Sequence, residues 1–419
     1  MKRLFWLALA VGIIWLGVYL VPSSKSKKNV VKWPHFAHQQ IEKIAFGNFT
    51  LQKTNDWWVI VKQNKFPASR DKVEDFLSFL EQNPPKRVLD TIKPEKWTEF
   101  GLDKKRLLKI KTGSKVMVFT FGSSNPSMDG IYALCSLWPN KLLLLPYTYK
   151  DKLETKAKDF YELNLFAFKD DQILKLQKLV RKKIKWELKR KGESGFVFVQ
   201  PKEYQKFKVD PAEATSLFFN LATLKAKDLQ TDLEPGANYL FGFNYTLQDF
   251  SQGRVDFYAQ NGTYLAQLPQ KKWIYLLDQS KLKVLNKTAF QLRDRHFLSF
   301  SQDQVKRVEI STPQKSITVV KDKDKWLTLE ERKEFPTISF ILWELKDIQY
   351  KAEPLTYKPK EFKTQVLDII LKDYQNHVIY DLSFWPSEQK DRYWLSDGKK
   401  WYLVNGEVVS EVQQRLKQN

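Results

Sequence analysis

The stretch Phe290–Ser311, FQLRDRHFLSFSQDQVKRVEIS, decides how the chain is divided. An apolar run, FLSF, ends at residue 300, and Val305, Val308 and Ile310 follow with alternating polar neighbours. This alternation is typical of a strand with one buried face. The stretch therefore predicts a junction, with one folded part ending near residue 300 and the next beginning just after it.

The same junction occurs earlier in the chain. LFAF at residues 165–168 precedes an alternating segment that begins at Ile173, and a shorter version of that segment begins at Ile41. Ile41, Ile173 and Val305 follow one another at intervals of 132 residues. A repeat of this length is a small domain and is too long for a solenoid repeat. The sequence thus predicts three repeated units.

Hydrophobic periodicity within each unit predicts the fold class. Two strand-like segments come first, then an apolar stripe at helical spacing, then four more strand-like segments. The helical stripes are formed by Val73, Phe76, Leu77 and Leu80, by Ala214, Leu217, Phe218 and Leu221, and by Ile338, Ile341, Leu342 and Leu345. We therefore expect an α+β protein in which each unit is an antiparallel sheet with one packed helix.

Aromatic residues recur at one position of the units. Trp58, Phe196 and Trp326 each begin the second strand of the first strand pair. A large ring at this point of an amphipathic hairpin is expected to fill the core between sheet and helix. The alternative is that these rings stack on a ligand.

These patterns divide the chain into five segments. They are a membrane anchor (1–24), a tether (25–38), repeat 1 (39–168), repeat 2 (169–300) and repeat 3 (301–419). Each repeat is long enough to bury its own core.

The anchor is predicted from Leu4–Val21, which contains no charged residue. As a helix it would be about 27 Å long, close to the hydrocarbon thickness of a bilayer. We expect an uncleaved, single-pass anchor, since no small-residue cleavage site follows; a cleaved signal peptide or a buried helix are the alternatives. Positive charges flank both ends, Lys2 and Arg3 before it and several lysines after it, and their count alone slightly favours a cytoplasmic C-terminal portion.

Composition limits the classes of partner. The chain has 70 Lys and Arg against 48 Asp and Glu, a net charge of +22, which favours anionic lipid headgroups, acidic envelope polymers or nucleic acid. The single cysteine, Cys135, excludes an intramolecular disulfide and a cysteine zinc cluster, and its apolar surroundings predict a buried thiol.

The highest density of positive charge lies in residues 169–191. We interpret it as the solvated face of a strand pair, and the alternative is a binding surface for a polyanion or a lipid headgroup. No motif for specific nucleic-acid recognition is present. The candidate binding residues are Arg181, Lys182, Lys183, Lys185, Lys189, Arg190 and Lys191.

A second cationic group lies in the junction itself, where RDRH at residues 293–296 contains Arg293 and Arg295. We expect the two arginines and Asp294 to form salt bridges between units, with anion binding by the arginine pair as the alternative. His35 and His38 lie in the tether without a further ligand at metal-like spacing.

No catalytic, cofactor-binding or metal-binding residue is predicted. The sequence contains no serine elbow, phosphate-binding loop or zinc-protease motif. Carboxylates that are distant in sequence could still meet in space, so an undetected hydrolase remains the alternative to a non-enzymatic protein.

Several short segments point to a known family, namely residues 292–295, Phe300, 305–310 and Trp326, together with Trp58, 66–67 and 99–103 in repeat 1. They resemble the bacterial family "domain of unknown function 4340". In repeat 2, Phe196 replaces the family tryptophan and the Gly-Leu-Asp step is missing.

The resemblance implies an envelope protein with one N-terminal membrane helix and a periplasmic portion. Some members of the family accompany ABC-type exporters related to gliding-motility permeases. It implies no catalytic residue. We therefore expect a non-catalytic accessory or scaffold protein anchored in the bacterial inner membrane, with its repeats in the periplasm and ABC-type transporter subunits as partners. Binding of anionic lipid or envelope polymer through residues 169–191 is the rival hypothesis.

Overall fold

The computed structural model describes residues 33–55, 57–61, 65–104, 106–192, 195–359 and 364–418. The predicted anchor, and residues 25–32 of the predicted tether, lie outside the described residues. Within those ranges no helix is both long enough and apolar enough to cross a membrane.

The fold consists of two compact units. Compact unit 1 contains the described residues of Met1–Lys169, Asn220–Gly242 and Gly253–Lys283. Compact unit 2 contains those of Asp170–Phe219, Phe243–Gln252 and Val284–Asn419. Strands in the described part of the chain form three sheets, and the strands of each sheet come from one of the predicted repeats.

Sheet 1 has the strand order β4-β3-β2-β1-β6-β7-β8-β9-β5, and every neighbouring pair is antiparallel. Its strands are β1 (Ile41–Ala45), β2 (Thr50–Thr54), β3 (Trp57–Val61), β4 (Pro67–Ala68), β5 (Arg87–Thr91), β6 (Arg106–Thr112), β7 (Lys115–Ser124), β8 (Gly130–Cys135) and β9 (Lys141–Pro146). The accompanying helices are α1 (Arg70–Gln82) and α2 (Tyr149–Leu153).

Sheet 2 has the order β12-β11-β10-β14-β15-β16-β17-β13. Its strands are β10 (Ile173–Val180), β11 (Lys183–Lys191), β12 (Gly195–Gln200), β13 (Asp228–Gln230), β14 (Asn238–Leu247), β15 (Gln252–Gln260), β16 (Thr263–Gln267) and β17 (Ile274–Leu277). The helices of this repeat are α3 (Pro211–Ala222), α4 (Gln279–Leu285) and α5 (Ala289–Leu292).

Sheet 3 has the order β20-β19-β18-β21-β22-β23-β24, again antiparallel throughout. Its strands are β18 (Arg307–Ser311), β19 (Ser316–Asp322), β20 (Lys325–Thr328), β21 (Leu367–Lys372), β22 (Val378–Pro386), β23 (Arg392–Ser396) and β24 (Trp401–Asn405). The helices are α6 (Thr337–Lys346) and α7 (Glu407–Gln418). Short 3-10 turns occur at His38–Gln40, Pro94–Phe100, Leu102–Lys104, Ala157–Phe160, Asp170–Gln172 and Lys202–Tyr204.

The three sheets share a seven-stranded core topology, to which sheet 1 adds the edge strands β4 and β5 and sheet 2 adds β13. This shared core confirms the α+β class and the threefold repeat. A three-stranded meander leads to a helix, and a second meander follows. The first strand of each repeat lies beside the first strand of the second meander, as in the pairs β1–β6 and β18–β21. The residues at the 132-residue interval, Ile41, Ile173 and Val305, are all buried.

The predicted packing positions are confirmed. The apolar stripes of α1, α3 and α6 are buried, and the side chains of Trp58, Phe196 and Trp326 are only 5%, 8% and 6% exposed. Trp58 and Trp326 belong to large apolar cores, each with the helix of its own repeat.

Each repeat also carries helical structure after its last strand, which the expectation of one helix per unit did not include. The clearest case is α7, whose residues Val408, Val409, Val412 and Leu416 are buried in the core of repeat 3. Their i, i+4 spacing was visible in the sequence.

The junction segments are paired like short strands. At the first junction, Tyr161 bridges to Ala68, and Asn164 bridges to Lys225. The second junction repeats this arrangement with Arg293 and His296, 132 residues later, which bridge to Val209 and Gln349. Each junction thus lies between the segment before one helix and the segment after the next helix, which explains why its sequence pattern recurs.

Candidate functional site

The predicted polyanion-binding residues lie on the hairpin β10–β11. Arg181 and Lys182 occupy its turn with φ values of 49° and 61°. Six of the seven residues are exposed, namely Arg181, Lys182, Lys183, Lys185, Lys189 and Lys191. We call these six residues the basic hairpin surface.

Arg190 differs from the other six. Its guanidinium lies 4.9 Å from the ring of Phe196 and 5.5 Å from the ring of Phe218, and it donates to the carbonyl of Asp170 at 2.9 Å. Side chains alternate along a strand, so Arg190 shares its face with buried Trp186 and Leu188. The alternation along β11 could have assigned Arg190 to packing from the sequence.

A buried carboxylate lies among the lysines. Glu187 shares its strand face with Lys189, and its carboxylate lies 2.9 Å from the ammonium of Lys175. Gln177 on β10 donates to the same carboxylate at 2.6 Å. This negative charge compensates part of the positive potential at the centre of the hairpin.

Lys178 is the buried cation of this hairpin, and sequence reasoning missed it. Lys178 lies on β10, opposite Trp186 of β11. Its ammonium donates to Oδ1 of Asn286 at 2.5 Å and to the carbonyl of Lys287 at 2.8 Å, and the indole of Trp186 donates to that same carbonyl at 2.9 Å. Burial lowers the pKa of Lys178 to about 8.

We expect Lys178 to make stability depend on pH. In the unfolded chain a lysine titrates near its usual pKa of 10.5, so between pH 8 and 10.5 the unfolded chain binds more protons than the folded protein. Stability should therefore rise with pH across this window, by about 3 kcal/mol in total. The measurement is urea unfolding of wild type and Lys178→Met between pH 7 and 10.

The Lys178→Met variant should lack this rise, whereas Lys185→Met, which removes an exposed lysine of the same hairpin, should keep it. Parallel stability curves for wild type and Lys178→Met would contradict the assignment.

The arginines of the second junction are both buried. Arg293 pairs with Glu353 at 2.8 Å, and Arg295 lies 3.5 Å from Glu213 on α3. The guanidinium of Arg293 lies over several aromatic rings, those of Phe207, Phe290, Tyr350 and Tyr204, at 4.5–5.9 Å from their centroids.

The predicted salt bridges between units involve Arg293, whose partner Glu353 belongs to repeat 3. Asp294 does not join the arginines, and its carboxylate lies 2.6 Å from Nδ1 of His296. The cause is the strand-like conformation of the junction, in which adjacent side chains point to opposite faces. The arginines instead contact elements on either side of the junction.

A cleft of about 410 Å³ lies within compact unit 1. No sequence pattern had indicated it. Its lining combines three indole rings with two cations, one carboxylate and one amide. The lining residues include Trp57, Arg70, Glu162, Asn164, Lys271 and Trp273. We call it the aromatic cleft.

The ammonium of Lys271 lies against two indoles of the aromatic cleft. It lies 4.3 Å from the ring centroid of Trp57 and 5.3 Å from that of Trp273. Burial lowers the pKa of Lys271 from its usual value, because the indoles replace water around the ammonium. Trp57, by contrast, leaves 53% of its surface exposed.

The remaining candidate residues are a cysteine and two histidines. Cys135 is buried, and this burial raises the pKa of its thiol to about 11. His35 and His38 both approach Glu81. In the ranges that the structure covers, no group of three or more His, Cys, Asp or Glu side chains is arranged to hold a metal ion.

Comparison with known proteins identifies the family. No curated protein and no solved structure matches this chain. The family model described as "Domain of unknown function (DUF4340)" matches residues 58–241 and again residues 201–393. Two overlapping matches fit a chain with internal repeats, and together they span most of its 419 residues. The chain therefore belongs to the DUF4340 family.

Proposed function

We propose that this protein is a non-catalytic accessory or scaffold protein of the bacterial envelope, anchored in the inner membrane with its repeats in the periplasm. Its partner would be an ABC-type transporter. The observation that supports a scaffold is that the positions shared by the repeats, such as Trp58, Phe196 and Trp326, are used for packing. The anchor rests on the uncharged segment Leu4–Val21.

Two experiments test this proposal. The first is co-purification of the full-length chain after mild detergent extraction, in which subunits of a permease or its ATPase should accompany it. The proposed partner is wrong if known membrane complexes survive the extraction and no transporter subunit is recovered.

The second experiment tests the anchor and its orientation. Alkaline phosphatase fused after Asn419 should be active, because this enzyme folds only in the periplasm. Replacing Ile13 and Ile14 by arginine should release the chain from the membrane, since each charge at the centre of a membrane helix costs about 2.5–3.5 kcal/mol. An inactive fusion in an intact membrane-bound chain would place the repeats in the cytoplasm.

A second candidate function is polyanion or lipid-headgroup binding by the basic hairpin surface. The supporting observation is the exposure of its six cationic side chains on one hairpin. Glu187 at its centre weakens this case.

The expected result of this second function is salt-dependent binding to vesicles that contain anionic lipid. Changing Lys183, Lys185, Lys189 and Lys191 to glutamine should reduce the affinity at least tenfold at low salt, because charges near a lipid surface contribute about 1 kcal/mol each. It should also make the salt dependence less steep. Vesicle sedimentation measures both effects.

A matched control removes four exposed lysines of repeat 3, namely Lys323, Lys390, Lys399 and Lys400. It lowers the net charge equally and should leave binding by the hairpin intact. Equal losses in the two variants would show that net charge alone attracts the protein to the membrane.

A further inference from the structure

The aromatic cleft contains an aromatic side chain that the repeated architecture does not require. Trp58 is the packing residue that recurs as Phe196 and Trp326, and Trp57 precedes it on the opposite face of β3. The residues that correspond to Trp57 in the other repeats are Gly195 and Lys325. An indole at this position is therefore specific to repeat 1 and is not needed for the core.

Without a ligand, the indole of Trp57 and the ammonium of Lys271 are both in unfavourable surroundings. The exposed indole of Trp57 places apolar surface in water, and the ammonium of Lys271 has lost part of its hydration between two indoles. Both costs would fall if a ligand covered the indole and supplied an oxygen to the ammonium. The cleft also lies within the range of roughly 300–1,000 Å³ that is usual for small-molecule sites.

The lining defines the chemistry of such a ligand. The ammonium of Lys271 lies 4.3 Å from the ring centroid of Trp57, and the exposed part of the indole suits a ring with an apolar face, while the ammonium suits an anion. Glu162 and Asn164, held on the junction segment where Glu162 Oε1 accepts from the backbone N–H of Asn164 at 2.9 Å, can exchange hydrogen bonds with hydroxyl groups. Arg70, which also lines the cleft, is a second cation and pairs with Glu74 at 2.6 Å.

An acidic sugar combines these properties. The C–H groups of a pyranose ring form an apolar face, its hydroxyl groups donate and accept hydrogen bonds, and a carboxylate provides the negative charge. An inorganic anion would leave the indole uncovered, and a plain aromatic acid would offer nothing to Glu162.

We propose that the aromatic cleft binds an acidic sugar, with its ring stacked on Trp57 and its carboxylate paired with Lys271. This binding does not depend on the proposed anchor or transporter role, and it uses none of the residues of the basic hairpin surface.

The test is saturation-transfer NMR and calorimetry of the full chain in a detergent without sugar headgroups, with D-glucuronate, D-glucose and acetate as probes. We expect saturation of the ring protons of glucuronate and binding at least tenfold tighter than that of glucose or acetate. The Lys271→Met variant should bind glucuronate and glucose equally, and Trp57→Ala should lose at least tenfold in affinity for glucuronate.

A matched control is Trp343→Ala on α6, which removes another indole that is half exposed, at 54%, and should bind like wild type. Circular dichroism melting of each variant checks that it remains folded. The proposal is overturned if acetate binds as tightly as glucuronate, or if folded Trp57→Ala binds glucuronate like wild type.

Discussion

Replacing Arg293 by alanine is expected to lower the free energy of unfolding of compact unit 2 by about 3 kcal/mol. The side chain of Arg293 is only 2% exposed, so the change leaves a cavity at the second junction. It also removes the stacking of the guanidinium on the rings of Phe207 and Phe290, at 4.5 and 4.6 Å. Urea unfolding followed by far-ultraviolet circular dichroism measures the loss.

The ion pair between Arg293 and Glu353 should contribute much less to the free energy of unfolding. Glu353 is 62% exposed at its side chain, so its charge is screened by water. Glu353→Gln keeps a hydrogen-bond acceptor and is expected to cost about 1 kcal/mol or less. If Arg293→Ala and Glu353→Gln had equal effects, the ion pair rather than the aromatic packing would hold the junction.

Truncation of Trp58 to alanine should have a comparable or larger effect in compact unit 1. Its side chain lies in the core between sheet 1 and α1, and replacing a buried tryptophan by alanine costs about 3–5 kcal/mol. We expect a corresponding fall in the urea midpoint of this unit, measured by circular dichroism.

The adjacent Trp57 is the matched control, since it is the same residue type on the same strand. Trp57→Ala removes mainly exposed surface and one cation–π contact, so it should cost about 1 kcal/mol or less. Similar losses for the two tryptophans would refute the assignment of Trp58 to packing and of Trp57 to the cleft.

The candidate binding residues show where local reasoning succeeds. Counting charges in residues 169–191 located the basic hairpin, and six of its seven candidates are exposed. Arg190 is the one exception, and the buried Lys178 was not among the candidates, because charge density contains no information about the face of a strand. Applying the two-residue period of β11 would have corrected Arg190. The bond from Lys178 to Asn286 joins distant parts of the chain and has no local signal.

The partners of the junction arginines could not be predicted for the same reason. Glu353 is 60 residues from Arg293, and which carboxylate meets which guanidinium depends on the pairing of the junction with segments on both sides. The nearest acid in sequence, Asp294, pairs with His296 and not with either arginine. The side chains of adjacent residues in an extended segment point to opposite faces, so the side chains of neighbours in sequence do not meet.

The sequence by itself determined the number of repeats, their class, the buried stripe of each main helix and the aromatic residues that fill each core. These features follow from hydrophobic spacing, which is local and recurs at a fixed interval. Only the tertiary structure decided which charges pair and where a ligand could bind. The aromatic cleft joins Trp57 of β3 to Lys271, which precedes β17, and such a meeting depends on the packing of whole elements.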